Sequence, residues 1–516
     1  MKSIKNFNFN DLFVFDLANN HQGDMDHATN IIKEVSELTI KENINGAIKF
    51  QFRDLGTFIH KNSRKDENNK HIKRFLSTEL SREKFQELAE YAKKQSIMRI
   101  CTPFDEASVD FIKDLNLEAI KIASCSAKDW PLIEKIANAG LPVIFSTGGL
   151  KLEDIDNLVS FLDHRACDFS IMHCVSIYPT SKEDCNLVQI SVLKNRYPDK
   201  VIGWSTHEDP NNLQAVQMGY ALGARMFERH VGITNNKYKL NAYSSDPNQL
   251  KKWIKSYKDA KKMYGSEIRT SSTIELESIK SLSRGVYTKT GLQKGELIND
   301  NNVYFSMPIL EGQLTSGEFK SGIICNENIS PDGAIFNKFI TKPKTNDIQT
   351  VKTAIHEIRA MLNKAKVKLG PEFEIEISHH YGLNRFRETG AFIITCINRE
   401  YCKKLLVVLP NQNHPNHYHK LKEETFQVLS GTLDIVVDGH EKKLYPGDCC
   451  LVQPGVFHSF SSNDGCIVEE VSTTHFKEDS YYQDNYINTL ETNERKTKVD
   501  HWGRFQMMLN KKIETH

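Results

Sequence analysis

The stretch SREKFQELAEYAKKQSIMRICTP, residues 81–103, contains both kinds of element from which the first half of this chain is built. Its first part opens with Ser81 before Glu83 and places Phe85, Leu88, Ala89 and Ala92 on one helical face, so an amphipathic helix over 81–94 is predicted. The second part, IMRICTP (97–103), is a short apolar run that reads as a buried strand. The pattern extends outward in both directions. Seven further runs of the second kind are LFVFDLA (12–18), AIKFQ (47–51), AIKIAS (119–124), PVIFST (142–147), FSIMHCVS (169–176), VIGWSTH (201–207) and ARMFERHV (224–231). Helix-period segments separate them, which is the pattern of a parallel sheet with helical crossovers. Eight βα units imply a closed (β/α)8 TIM barrel, assigned to residues 1–280. The polar loop KNSRKDENNK (61–70) after the second run reads as solvated chain or as a lid.

At 516 residues the chain exceeds one barrel of about 250 residues. Residues 281–342 change to short strands with the turn signals Lys294-Gly295 and Pro331-Asp332-Gly333, a small β-rich module. Residues 343–370 form a helical linker with Ile348, Val351, Ile355, Ile358 and Leu362 on one face, and 371–516 return to strand alternation. The formal charge of +1 and the lack of a basic stripe argue against a nucleic-acid partner. Eleven cysteines at no framework spacing suit a reducing compartment. The opening MKSIKNFNFND has no signal-peptide core, and no apolar run approaches the roughly 18 residues a span needs, so a cytoplasmic protein without a membrane partner is expected.

In barrel enzymes the chemistry sits at the C-terminal strand ends. Those ends carry Asp16, Asn20 and His21; Lys49 and Gln51; Thr102; Lys121 and Ser124; Ser146 and Thr147; His173, Ser176 and Tyr178; Ser205 and His207; and Glu228 and His230. Two lysines among hydroxyls make a cationic, donor-rich pocket suited to a phosphate and a carboxylate. His207 and His230, on neighbouring strands, can hold one divalent cation with positions left open for water and substrate.

The strings NNHQG (19–23), IKFQ (48–51), CTPFDEASVDF (101–111), IKIASCSAKDWPLI (120–133), PVIFSTGG (142–149), MHCVSIYPT (172–180), GWSTHED (203–209) and ALGARMFERH (221–230) resemble, in order and spacing, the sialic acid (N-acetylneuraminate) synthases. The resemblance covers about residues 10–265. It implies a transferase that condenses phosphoenolpyruvate with an aldose to give a 2-keto-3-deoxy sugar acid and phosphate, for surface polysaccharide biosynthesis. It also implies that Lys49, Thr102, Lys121, Ser124, Ser146 and Ser205 hold phosphoenolpyruvate and that His207 and His230 bind Mn or Mg. Gln51 and Tyr178 would face the sugar. The chain departs from the family at Asp16, where Glu is usual; at Cys125-Ser126, in place of Gly-Glu; at Ser176, for Asn; and at Asn241, for Asp. These four changes fall on the aldose side, which implies the same reaction with a different acceptor, N-acetylmannosamine-like or a deoxy or acylamino hexose. Asp16 keeps a catalytic carboxylate, while Ser176 and Asn241 stay substrate-facing.

Residues 284–342 resemble the antifreeze-like (SAF) module of that family, which caps the neighbouring subunit's active site. A domain-swapped homodimer is therefore implied, with a purely structural cap as the alternative. In NHPNHYHKLKEETFQVLSG (413–431), His417, His419, Glu424 and Gly431 have cupin spacing, and Gly447-Asp448 with Gln453-Pro454-Gly455 and His458 supply the second half. Residues two apart on a strand share a face, so His417 and His419 point together, and Glu424 and His458 complete a three-His, one-carboxylate site for Mn, Fe, Ni or Zn. The alternative is a metal-free cupin used for binding or dimerisation. Cupins resembling this one include sugar isomerases and epimerases, and a sugar-binding regulatory module is the other reading.

Overall fold

The computed structural model describes residues 7–64, 68–266, 269–343, 347–500 and 502. The chain forms two compact units, residues 1–270 and 271–516. In the first, Leu12–Asp16 (β1), Asn45–Phe52 (β2), Met98–Pro103 (β3), Ala119–Ile122 (β4), Val143–Ser146 (β5), Phe169–Cys174 (β6), Ile202–Thr206 (β7) and Met226–His230 (β8) pair in parallel in chain order, and β8 closes onto β1. All eight expected runs are strands of one barrel. The helix predicted after Ser81 spans Arg82–Lys94, with the Ser81 hydroxyl accepting from Lys84 N at 3.4 Å and Phe85, Leu88, Ala89 and Ala92 buried.

Strand residues face alternate sides, and this sorts the barrel into layers. Phe13, Phe15, Ile48, Phe50, Ile120, Ile122 and Phe145 pack outward with the apolar faces of the helices. Leu12, Val14, Ala47, Ile100, Ala119, Ile144, Met172 and Met226 form a separate cluster that fills the interior. Two residues further along each strand, the inward positions become Asp16, Lys49, Thr102, Lys121, Ser146, Ser205 and Glu228, all buried. The interior is thus plugged by apolar side chains below and polar above. In the loop 61–70, Lys61–Ser63 form a 3-10 turn and Lys70 begins the helix Lys70–Ser77, while residues 65–67 lie outside the described residues.

In the second unit, Gly285–Thr288 pairs with Val303–Ser306, and Ile323–Cys325 pairs with Leu297–Ile298 and Ile340–Thr341. These strands surround a small core that includes Val286, Ile298, Leu314, Ile323 and Ile335. The helix expected as a linker is Asp347–Lys364, and it does more than connect. Its Ala354, Ile355, Ile358 and Leu362 pack with Ile375, Ile377, Phe386, Phe392 and Leu405 of the following sheet. That sheet has seven strands and lies in a β-rich region with a second sheet of five. Among the described residues, no helix is long and apolar enough to cross a membrane.

Candidate functional site

Four buried charges cross the barrel mouth. Lys49 Nζ lies 2.9 Å from Asp16 Oδ2 and 3.3 Å from Glu228 Oε1, and Lys121 Nζ lies 2.5 Å from the same Glu228 oxygen. Lys49 also reaches Thr102 Oγ1 at 3.5 Å, Lys121 reaches Ser205 Oγ at 3.4 Å, and the Ser205 hydroxyl donates to Glu228 at 3.2 Å. Barrel closure sets these distances, because the register puts Asp16 beside both Lys49 and His230 and puts Ser205 beside Glu228.

The charges balance in sign but not in environment. Burial by itself raises the Asp16 carboxyl, yet Lys49, His230 and Lys121 outweigh it and hold that carboxyl well below the usual range. Lys49, against burial, is pushed up by two carboxylates, whereas burial wins at Lys121, which has Glu228 as its carboxylate and Lys49 as a repelling neighbour. Ser146 Oγ and Glu228 Oε2 are buried with no hydrogen-bond partner. Such atoms carry a desolvation penalty that an incoming ligand relieves.

The two predicted metal-binding histidines stand with ring centroids 5.2 Å apart. His207 Nδ1 meets the Val175 carbonyl at 2.9 Å, and His230 Nδ1 lies 3.5 Å from Asp16 Oδ2. Each ring therefore presents Nε2 as its ligand nitrogen, with the Nδ1 contact setting tautomer and orientation. Burial lowers the His230 pKa and keeps the imidazole neutral, the form that binds a cation. The donor set fits a divalent ion with open positions.

Gln51 Nε2 donates to Asp16 Oδ2 at 3.0 Å, and the Tyr178 ring lies 4.1 Å from that of His207, centroid to centroid. Ser124 Oγ accepts from Gly148 N at 3.1 Å. A Cβ on Gly148 would stand 2.3 Å from Ser176 Oγ and 2.7 Å from Ser124 Oγ, so the glycine lets the two predicted serines approach. Asn241 is different: it is exposed, and its Oδ1 accepts from Tyr243 N and Ser244 N at 3.1 and 2.8 Å in its own turn. Tyr243, which carried no motif signal, instead brings its ring within 5.2 Å of those of His230 and Tyr178. Glu228 is the other residue given no role from sequence. Its signal was present, since it lies two residues before His230 on the same inward face.

The second unit holds another cluster. His417 pairs with His458 across two antiparallel strands, and the ligand atoms of His417, His419 and His458 all lie within 4.8 Å of one another. The Nδ1 atoms of all three meet backbone carbonyls: Pro415 at 3.0 Å, Asp479, and Val456 at 3.3 Å. His458 Nε2 and Glu424 Oε2 are 3.1 Å apart, buried and without a hydrogen-bond partner. Three oriented Nε2 atoms beside an orphaned carboxylate oxygen fit a metal ion. Sequence reasoning missed the charges behind this cluster. Lys422 contacts Glu424 and lies 3.1 Å from Glu470, with Lys404 3.6 Å from Glu470, all of them buried.

Burial also holds His380, His414 and His417 well below the ordinary histidine pKa. They stay neutral in the fold but take up protons in the unfolded chain below about pH 6.5. Their contribution is therefore fully present above that pH and is lost as the pH falls through it. The urea midpoint of the second unit in chelator-treated protein is expected to drop steeply from pH 7 to pH 5. A flat midpoint across that interval would contradict the neutral-histidine assignment.

Comparison with known proteins agrees with this geometry. Residues 39–269 match the NeuB family and residues 404–468 match the cupin domain. An uncharacterised protein of Methanocaldococcus jannaschii is 35% identical over 315 residues, covering 61% of this chain and 88% of that protein. The N,N'-diacetyllegionaminic acid synthase of Legionella pneumophila is 28% identical over 303 residues, covering 56% of this chain and 83% of the synthase. A crystal structure named as spore coat polysaccharide biosynthesis protein E from Chromobacterium violaceum superposes with a TM-score of 0.62 at 39% identity, covering 64% of this chain and 99% of that one. The chain belongs to the NeuB family, the sialic acid synthase family, and carries a cupin domain after its barrel.

Proposed function

We propose that the barrel condenses phosphoenolpyruvate with an aldose, forming a 2-keto-3-deoxy sugar acid and inorganic phosphate, in a cytoplasmic homodimer serving surface polysaccharide biosynthesis. The observation that carries this reading is the pair of buried lysines, Lys49 and Lys121, among the hydroxyls of Thr102, Ser124, Ser146 and Ser205 beside His207 and His230. In the overall change C3 of phosphoenolpyruvate bonds to the aldehyde carbon, the aldehyde oxygen becomes a hydroxyl, water adds at C2, and the C2–O bond to phosphate breaks. Lys49 and Lys121 meet the phosphate and carboxylate, and the partnerless Ser146 hydroxyl donates to one of these anions. Mn or Mg held by His207 and His230 supplies Lewis-acid polarisation of the aldehyde when bound. Asp16 orients His230 and Gln51, and Gln51 and Tyr178 position the sugar. The small β module at 281–342 caps the site of a neighbouring subunit.

The test is phosphate release by the intact protein with phosphoenolpyruvate across an aldose panel, with mass analysis of each product. Phosphate release with a product heavier than its aldose by the pyruvyl unit is the expected result. Failure to release phosphate with every aldose, at full metal loading, would count against the reading. The cupin supports a second activity, a metal-dependent sugar isomerase or epimerase, favoured over a regulatory sugar-binding module by its oriented histidines and its buried Lys404, Lys422 and Glu470. Solvent deuterium entering a sugar carbon in the absence of phosphoenolpyruvate, and lost in His419→Ala, is the expected sign.

A further inference from the structure

Arg53 lies two residues beyond Gln51, so it continues the inward face of β2 above the layer of buried charges. Its guanidinium is held between two aromatic rings, 4.1 Å from the centroid of Phe75 and 3.5 Å from that of Phe104. One nitrogen, Nη2, donates to Gln51 Oε1 at 3.2 Å, while Nε is buried with no partner. Among the described residues, no carboxylate forms an ion pair with it. The carboxylates nearest in charge, Asp16 and Asp105, are engaged elsewhere: Asp16 with Lys49 and Gln51, Asp105 with Ser108 and the Asp54 amide. Burial pulls the guanidinium down to about 10, and neighbouring charges offset only part of that.

A desolvated cation without a counter-ion is unfavourable, and a fork clamped between two rings cannot swing out to water without losing both contacts. The same clamp presents the fork in a set plane, which is what bidentate capture of an anion needs. Phosphoenolpyruvate does not fill this role, because Lys49 and Lys121 lie deeper and already serve its charges. We propose that Arg53 is a specificity-determining residue that receives an anionic substituent, a phosphate ester or a carboxylate, carried by the aldose away from its reacting carbon. The proposal rests on the condensation reading for its choice of ligand class. Arg74, whose Nη2 reaches the Asn19 carbonyl at 3.3 Å, adds positive charge to the same rim.

The test uses the intact protein and sets of 2-acetamido hexoses, each with a free 6-hydroxyl, a 6-phosphate or a 6-carboxylate. Calorimetric binding is measured for each sugar without phosphoenolpyruvate. At least one anionic member is expected to bind wild type tenfold or more tighter than its neutral counterpart, and the phosphate and carboxylate arms show which anion is read. Arg53→Gln is expected to lower that preference by about 10- to 100-fold, the range of a charge-assisted hydrogen bond, and Arg53→Lys to restore part of it. Equal affinity for neutral and anionic members in wild type, binding by no member of any set, or an undiminished preference in Arg53→Gln would each overturn the proposal. Should Arg53→Gln fail to fold, the wild-type comparison and Arg53→Lys still decide. Anion-selective binding with no phosphate release from phosphoenolpyruvate would overturn the condensation reading and leave the anion site standing.

Discussion

Replacing Lys49 with Met is expected to destabilise the first unit by about 3–5 kcal/mol, because it leaves buried negative charge without its partner. Lys49 Nζ is the cation nearest Asp16 Oδ2, at 2.9 Å, and the carboxylate side chain is 1% exposed. Without Lys49, Asp16 keeps the Gln51 amide, the Ala18 N–H and a neutral His230, none of which carries full positive charge. Glu228 fares better because Lys121 remains at 2.5 Å. The prediction therefore has a signature beyond its size: adding Asp16→Asn to Lys49→Met should recover much of the stability, while Glu228→Gln should recover less. Denaturant midpoints for the two double-mutant cycles measure this. A loss below about 1 kcal/mol for Lys49→Met would mean that water reaches Asp16 and that the network is not the dry one described here.

The second large effect concerns metal. Exhaustive removal of divalent cations, or His230→Ala, is expected to lower turnover by at least about a thousandfold, since polarising a carbonyl oxygen is worth several kcal/mol and the barrel mouth has no equivalent electrophile. Metal content separates the two centres without reference to activity. Wild type should retain two ions per chain after dialysis against trace metal; His230→Ala and His419→Ala should each retain one. Condensation activity should vanish in the former and persist in the latter. Full turnover by metal-free protein, or two ions retained by His230→Ala, would remove His207 and His230 from the role assigned to them.

Much of the barrel and most of its polar layer were legible in the sequence because the signals are local. A strand repeats every two residues, so Val14 and Asp16, Ala47 and Lys49, and Ala119 and Lys121 declare by spacing alone that an apolar inward position is followed by a polar one. The cupin histidines follow the same rule, His417 and His419 sharing a face and His458 opening a strand of its own. Composition at strand ends then narrows the chemistry to anions and a cation.

What only the tertiary structure decided is how these groups are shared. Glu228 bridges two lysines from β2 and β4 because the barrel closes, a contact between residues 179 and 107 positions away that no local pattern encodes. Asn241 turns its oxygen into its own loop and Tyr243 takes the place near His230, since backbone donors in a turn compete for a short amide side chain. Lys422 reaches Glu424 and Glu470 together only after strands distant in the chain pair, and Arg53 is clamped only when Phe75 and Phe104 arrive from separate loops. Periodicity by itself determined which side chains enter the interior. Which charge meets which was decided by closure, because electrostatic pairing depends on distances of a few ångströms between residues the chain keeps far apart.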